Sequence, residues 1–188
     1  MMTIWKSLIQ PKMDYCSQLW SPSNQAAITK LENVQRHFTS KITGMEGRDY
    51  WDRLKDLGLY SQERRRERYQ MIFMWKISQG LVQGYNTHFE NDGRRGRLAR
   101  PKTVNLRSPA AVKNARESSF GVKGAKLFNL LPKDIRGVTS EKVESFKTVL
   151  DEFLRKVPDQ PTVPGRARAA ETNSLLHQIP LMNRGQVL

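Results

Sequence analysis

Residues that could carry out catalysis are few in this chain, and their spacing excludes several classes of enzyme. Polymerases and nucleases need clustered carboxylates to hold two divalent metal ions, yet no aspartate is adjacent to another. The sequence contains no GxxxxGK[ST] phosphate loop and no G-x-S-x-G nucleophile motif. It therefore predicts a chain with no catalytic residues, no metal site and no cofactor.

Cysteine and histidine give no alternative chemistry. The only cysteine, Cys16, has no second thiol with which to form a disulfide and no basic neighbour in sequence that would activate it. We expect it to be a small packing residue rather than a nucleophile. The three histidines, His37, His88 and His177, are scattered and do not match any familiar spacing of zinc ligands.

Basic residues dominate the charge of the chain. Its 188 residues include 32 Lys and Arg against 18 Asp and Glu, which gives a net charge of +14. Such an excess favours a polyanionic partner, either nucleic acid or an acidic membrane surface. Between Asn91 and Lys126, ten basic residues stand against two acidic ones, so more than half of the net charge lies in a fifth of the chain. The alternative is a basic surface that only keeps the protein soluble.

Two groups of basic residues are candidates for binding nucleic acid without sequence preference, through phosphate contacts. The first belongs to "ERRRER" at the start of a predicted helix, and it consists of Arg64, Arg65, Arg66 and Arg68. The second belongs to an irregular basic arm, residues 84–118, and it consists of Arg94, Arg95, Arg97, Arg100, Lys102 and Arg107. For "ERRRER" the alternative is a solvated helix face, on which Glu63 pairs locally with Arg66 or Arg68.

Apolar periodicity predicts a mainly α fold, a small helical bundle that positions these groups. The expected helices are one that stops at Pro11, one from the cap Ser21 to Gly44, one from Arg48 to Leu57, one from Ser61 to Gln79, one that stops at Pro132, and one from the cap Ser140 to Val157. The expected core is Leu31, Val34, Phe38, Leu54, Leu57, Ile72, Phe73, Trp75, Ile77, Phe146, Leu150 and Phe153.

The chain divides into a helical region, residues 1–157, and a disordered tail, residues 158–188. Four prolines and weak periodicity characterise the tail, in which "NSLLHQI" is expected to form at most one helical turn. Within the basic arm only "KTVNLRS" resembles a strand. The arm is either a long functional loop or a mobile segment. No secretion signal and no membrane-spanning run is recognisable, so we expect an intracellular protein of the nucleus or cytoplasm, without a membrane partner.

Several stretches carry motifs in a fixed order. "WKSLIQPKMDYCSQLWSPSNQAAITKLENVQRHFTSKITGM" precedes "YWDRLKDLGLYSQERRRERYQMIFMWKISQG", and "SFGVKGAKLFNLLPKDI" and "SEKVESFKTVLDEFL" follow later. Together they resemble the region that follows the polymerase palm in reverse transcriptases of non-LTR retrotransposons, the jockey-like elements and their LINE-type relatives. The resemblance covers residues 4–154, and in its first part matches at Lys6-Ser7-Leu8-Ile9, Pro11, Asp14-Tyr15-Cys16, Trp20-Ser21-Pro22, Leu31-Glu32, Val34-Gln35-Arg36, Phe38-Thr39, Arg53-Leu54, Leu57-Gly58-Leu59 and Arg64-Arg65-Arg66.

The resemblance departs from the family at Phe128-Asn129, where the family usually has Trp-Asn, and at "YWDR", where it more often has "Y-x-E-R". It implies the post-palm region of an RNA-directed DNA polymerase whose catalytic aspartates lie upstream, so the chain alone is expected to be inactive. The implied partners are RNA or DNA and the upstream polymerase domain. The alternative is a truncated remnant of a mobile element, with only a structural or protein-interaction role.

Overall fold

The fold is mainly helical, which confirms the predicted fold class. The structure is a computed structural model, and it describes residues 1–83, 91–92, 97–98, 119–140, 142–161 and 173–183. Within the basic arm, Asn91–Asp92 (β1) and Arg97–Leu98 (β2) pair as a short antiparallel ladder. The strand candidate at residues 102–108 lies outside the described residues.

The chain forms two compact units. The first unit combines Met1–Arg66 with Asp159–His177, and the second combines Glu67–Pro158 with Gln178–Leu188. This division differs from the predicted boundary at residue 157, because residues of the expected tail belong to each unit.

Short helical segments open the first unit: α1 (Met2–Ile4), a π-helical turn (Trp5–Ile9), α2 (Gln10–Asp14) and α3 (Ser17–Trp20). The prediction that a helix stops at Pro11 is wrong, since Pro11 lies in the first turn of α2. Pro11 follows the π-helical turn, at the end of which the N–H of Gln10 donates to the carbonyl of Trp5, so the helical run continues through the proline.

The next helices are α4 (Gln25–Thr39), α5 (Tyr50–Leu57) and α6 (Gln62–Ser78). Asn24, not Ser21, caps α4, because its side chain accepts a hydrogen bond of 2.8 Å from the N–H of Ala26. Gly58 ends α5 with φ +61°, in the left-handed region where glycine carries no steric penalty, as the sequence predicts. The expected bounds of α6 are confirmed to within a residue.

The buried face of α4 differs from the predicted apolar stripe. Glu32, Gln35 and Thr39 are buried, whereas Val34 is 45% exposed and is therefore not part of the core. Leu31 and Phe38 are half-buried, at the edge of the buried face. Polar contacts hold the helix in this orientation, because a buried polar group is stable only where it finds hydrogen-bond partners.

Apolar packing in the first unit involves Trp5, which is fully buried and lies 4.9 Å from the ring of Phe38. Leu54 is buried as predicted, while Leu57 is half-buried.

The second unit contains the C-terminal part of α6 together with α7 (Phe120–Leu130), α8 (Lys133–Arg136) and α9 (Val143–Leu154). Its core is centred on Trp75, which stacks on Phe146 at 5.0 Å with an interplanar angle of 10° and donates a hydrogen bond of 2.8 Å to the carbonyl of Val138. The predicted burial of Ile72, Trp75, Ile77, Phe146 and Leu150 is confirmed, while Phe73 and Phe153 are half-buried.

The expected disordered tail contains a helix, α10 (Leu175–Asn183), which is longer than the single turn predicted there. Leu175 and Ile179, one turn apart on this helix, are fully buried, and burial of such side chains stabilises a helix that its sequence alone would not. Residues 162–172 and 184–188 of the tail lie outside the described residues.

Candidate functional site

The arginines at the start of α6 are engaged within the protein, and this corrects the prediction that they project to a nucleic acid. Arg64 is 0% exposed and Arg66 is 4% exposed. Arg65 and Arg68 are half-buried, each in an ion pair with an aspartate. A guanidinium is costly to bury unless charges or hydrogen-bond acceptors compensate it, so the partners of these arginines define the site.

Arg65 forms a fork-like ion pair with Asp14. Its Nε lies 2.9 and 3.0 Å from the two carboxylate oxygens, and its Nη2 lies 2.8 Å from Oδ2. The side-chain amide of Gln10 lies 2.7 to 3.0 Å from the same guanidinium when its oxygen faces the donors. Planar bidentate pairing of this kind fixes geometry as well as charge. It ties the end of α2 to α6.

Arg66 contacts the segment around α3. Its Nη2 donates to the carbonyl of Met13 at 2.8 Å, and its Cζ lies 3.9 Å from the ring centroid of Trp20, within the range of a cation–π contact. Its Nη1 lies 3.4 Å from Oγ of Ser21. Burial lowers the pKa of the Arg66 guanidinium, and the carboxylates of Asp14 and Glu32 oppose that shift.

The turn between α2 and α3 presents these partners. Cys16 has φ +50°, and among the described residues it is the only non-glycine residue with a positive φ. The indole of Trp20 donates a hydrogen bond of 2.6 Å to the carbonyl of Tyr15, which closes the turn. The segments "DYC", "WSP" and "RRR", which carry much of the sequence resemblance, therefore lie together in one cluster.

The N-terminus of α6 is capped by carboxylates from distant segments. Asp159 accepts from the N–H of Ser61 at 2.8 Å and from its hydroxyl at 2.7 Å, and Asn173 donates to the same carboxylate at 2.6 Å. Glu32 accepts from the N–H of Gln62 at 3.0 Å. Negative charge is favourable at this end of a helix, where N–H groups lack partners within the helix. Residues of the predicted tail thus complete the first unit.

Glu32 is buried, and it accepts a hydrogen bond from the hydroxyl of Tyr50 as well as from Gln62. Burial raises the pKa of the Glu32 carboxyl to about 7, against the lowering effect of these hydrogen bonds. Burial, together with the Glu32 charge, also raises the pKa of Tyr50. The guanidinium groups of Arg36 and Arg53 lie 4.6 and 5.7 Å from the centroid of the Tyr50 ring.

Arg68 belongs to the second unit and pairs with Asp151 through two bonds, Nε to Oδ1 at 2.5 Å and Nη2 to Oδ2 at 2.6 Å. Lys123, which the sequence places in the basic segment, pairs with Glu67 at 3.1 Å. Both are contacts within the unit that anchor α6 to α9 and α7. Neither cation is therefore a good candidate for binding phosphate.

The candidate residues of the basic arm remain predictions. Of Arg97 only the backbone is described, in β2. The other members, Arg94, Arg95, Arg100, Lys102 and Arg107, lie outside the described residues.

A basic surface that the sequence prediction missed lies in residues 1–45. This segment contains two acidic residues, and both are engaged: Asp14 pairs with Arg65 and Glu32 is buried. Every exposed charged side chain in the segment is consequently basic, namely Lys6, Lys12, Lys30, Arg36 and Lys41. Counting charges along the chain could not identify this surface, because it depends on which acids face inward.

Large apolar side chains are exposed near the start of the chain. Among the described residues, six of the exposed large hydrophobic side chains fall within residues 1–20: Met1, Ile4, Leu8, Tyr15, Leu19 and Trp20. Where such side chains form one contiguous patch, they are typical of a surface that binds another molecule.

Comparison of the chain with known protein families, with curated proteins and with solved structures finds no match. No helix in the described part of the chain combines the length and apolar character needed to cross a membrane. The described residues also contain no group of three or more His, Cys, Asp or Glu side chains that could hold a metal ion.

Proposed function

We propose that this chain is a nucleic-acid-binding C-terminal region of a non-LTR, LINE-type retrotransposon reverse transcriptase, and that it has no polymerase activity by itself. The observation that carries the proposal is the distribution of charge. In residues 1–45 the only acids are engaged internally, so the exposed charge there is entirely basic. Such a surface attracts a polyanion through contacts that carry no sequence preference, as a protein that moves along a template requires.

The arginine cluster has a different role in this proposal. Arg65 and Arg66 join α6 to the turn that contains Asp14 and Trp20, because Arg65 donates to the Asp14 carboxylate and Arg66 donates to the Met13 carbonyl and lies over the Trp20 ring. The cluster is thus a structural joint between motifs whose spacing resembles the reverse transcriptase region. Phosphate binding is assigned to the exposed lysines and to the basic arm.

The exposed apolar side chains of residues 1–20 favour a second candidate function, in which the chain acts through protein interaction. The partner implied by the resemblance is the polymerase domain upstream. Replacing Ile4 and Leu8, which are 50% and 60% exposed, by Ser should weaken binding of a separately produced upstream domain in a pull-down assay. Unchanged binding would contradict this candidate function and leave the nucleic-acid function unaffected.

The nucleic-acid function is tested by titrating labelled RNA and DNA with the protein at several salt concentrations. Neutralising about six phosphates would give a slope of log K against log salt of roughly −5 for a duplex and −4 for a single strand. Charge reversal at Arg94, Arg95 and Arg97 should flatten this slope by several units without altering the helical fold. Absence of salt-sensitive binding by the wild-type protein would refute the proposal. If the arm variant binds as tightly as the wild-type protein at every salt concentration, the basic arm does not contribute to binding, and that part of the proposal is wrong.

A further inference from the structure

The solvent-facing side of α4, together with the turn that follows it, carries two lysines and no carboxylate. Lys30, Asn33, His37 and Lys41 are all exposed and recur at helical spacings of three and four. Lys41 lies in the turn directly after α4, where its N–H donates to the carbonyl of Phe38 at 3.1 Å. We call these four residues the α4 basic face.

No carboxylate on α4 offsets this face. The only acid of the helix, Glu32, is buried on the opposite side, where it accepts from Tyr50 and Gln62. The first exposed acid after α4 is Glu46, and its carboxylate accepts from the N–H of Gly44 at 2.7 Å.

The exposed carboxylates of α5, the helix that packs against α4, have their own partners. Asp49 accepts from the N–H of Trp51 at 2.9 Å, Asp52 pairs with Lys55 at 3.7 Å, and Asp56 pairs with Arg48. Of the acids nearest in sequence to the α4 basic face, Asp52 and Asp56 are each paired with a cation, whereas Glu46 and Asp49 accept only from backbone N–H groups and keep their charge. None of these four carboxylates lies on α4, so the potential along the face itself is set by its lysines.

We propose that the α4 basic face binds the phosphate backbone of a nucleic acid. This inference rests on the proposed function and names the surface that performs it. At a rise of about 1.5 Å per residue, Lys30 lies ~10 Å from His37 along α4, and Lys41 follows in the turn after the helix. A duplex strand carries a phosphate every ~3.4 Å of axis, so the helical part of the face alone runs alongside about three of them. Lysine binds phosphate as a point charge, and the Asn33 amide adds a donor, which suits contact without sequence readout.

Two other occupants fit the face less well. A helix that binds the surface of a membrane needs a broad apolar side, yet the only large hydrophobic residue strongly exposed on α4 is Val34. A protein partner would need buried aromatic or arginine anchors at the centre of the contact, and the face has none. The face instead offers separate ammonium groups and a side-chain amide, and these groups suit a polymer with regularly spaced negative charges.

The test compares two double variants that each remove two exposed lysines. Lys30→Gln with Lys41→Gln removes the ends of the α4 basic face, and Lys126→Gln with Lys156→Gln removes two exposed lysines of the second unit. Binding of a fluorescein-labelled 20-base-pair RNA–DNA hybrid of random sequence is measured by anisotropy across 50–300 mM KCl. Thermal unfolding by circular dichroism checks that both variants fold.

We expect the α4 variant to bind about tenfold more weakly than the control variant near 100 mM KCl, and its salt slope to fall by about 2. Lys30→Arg with Lys41→Arg should restore wild-type binding, because it retains both charges. If the Gln variant fails to fold, Asn33→Asp, which places a negative charge in the middle of the face, gives the same test.

Each outcome decides the question. Equal binding by the α4 variant and the control variant overturns the inference and leaves the proposed function standing, since the wild-type protein still binds. No binding by the wild-type protein overturns both. Co-sedimentation with phosphatidylserine vesicles at the same salt concentrations is measured alongside. If the α4 variant loses binding to the vesicles and retains it for the hybrid, the face binds a membrane, and the inference is also wrong.

Discussion

Buried Glu32 should make the stability of the first unit depend on pH. Its pKa is about 7 in the folded protein, against an ordinary value of 4.5. The folded state therefore holds this proton more tightly than the unfolded chain does. The resulting stability is fully present below pH 4.5, is lost as pH rises to about 7, and changes little above that. Each pKa unit corresponds to about 1.4 kcal/mol, so the total loss is about 3 kcal/mol.

Glu32→Gln isolates this effect. Glutamine has nearly the same shape and no titratable proton, and its oxygen can still accept from the N–H of Gln62 while its amide donates to the Tyr50 oxygen. Both proteins share every other carboxylate, including the paired Asp14, so their contributions cancel in the difference between the two unfolding free energies. Relative to the variant, the wild-type protein should lose about 3 kcal/mol between pH 4.5 and pH 7.

The measurement is urea unfolding followed by circular dichroism at intervals from pH 4.5 to pH 8. Asp52→Asn serves as a matched control, because it removes one exposed carboxylate from the same unit. A constant difference between the wild-type protein and Glu32→Gln across this range would refute the reasoning. It would mean that the hydrogen bonds from Tyr50 and Gln62, together with Arg66, compensate the ionised carboxylate for its burial.

Three further outcomes follow from the structure and the sequence. Trp75→Ala should cost about 3–5 kcal/mol of unfolding free energy, because it removes a fully buried ring, its stack on Phe146 and a hydrogen bond. Unchanged unfolding of this variant in calorimetry would show that Trp75 is not part of the core. Arg65→Lys retains the charge but loses the bidentate bond to Asp14, so it should cost about 1–2 kcal/mol in urea unfolding, whereas the same change at exposed Arg155 should have no measurable effect. Primer extension on a homopolymer template should give no incorporation with any divalent metal, since the sequence lacks paired carboxylates; incorporation above background by purified protein would contradict this.

The features that could be predicted from the sequence are those set by local rules. Gly58 ends α5 because glycine adopts the left-handed conformation without a steric penalty, and that preference is visible in the sequence itself. The bounds of α6 and the burial of Trp75 and Phe146 follow from apolar residues at helical spacing. These parts of the fold depend little on which distant segment packs against them.

The features that could not be predicted depend on partners far away in sequence. Arg65 pairs with an aspartate 51 residues away, and Arg68 pairs with one 83 residues away. The alternative predicted from the sequence, in which Glu63 pairs locally with Arg66 or Arg68, includes neither of these contacts. The orientation of α4 has the same origin, since Glu32 faces inward to reach Tyr50 and Gln62 and thereby turns Val34 outward. An analysis of apolar periodicity assigns the most apolar face of a helix to the core, so it cannot predict a buried face that is polar.

The choice between arginine and lysine explains why the arginine-rich run was a misleading indicator of function. Arginine presents a rigid fork that suits buried carboxylates, and Arg65 and Arg68 use it in that way. In residues 1–45, by contrast, four of the five exposed cations are lysines, whose ammonium groups remain hydrated and can exchange a water shell for phosphate oxygens. In this chain, the run of arginines and glutamates at the start of α6 is therefore better interpreted as a set of ion pairs and hydrogen bonds within the protein. The proposed nucleic-acid surface therefore rests on the separate exposed lysines of residues 1–45 rather than on this run.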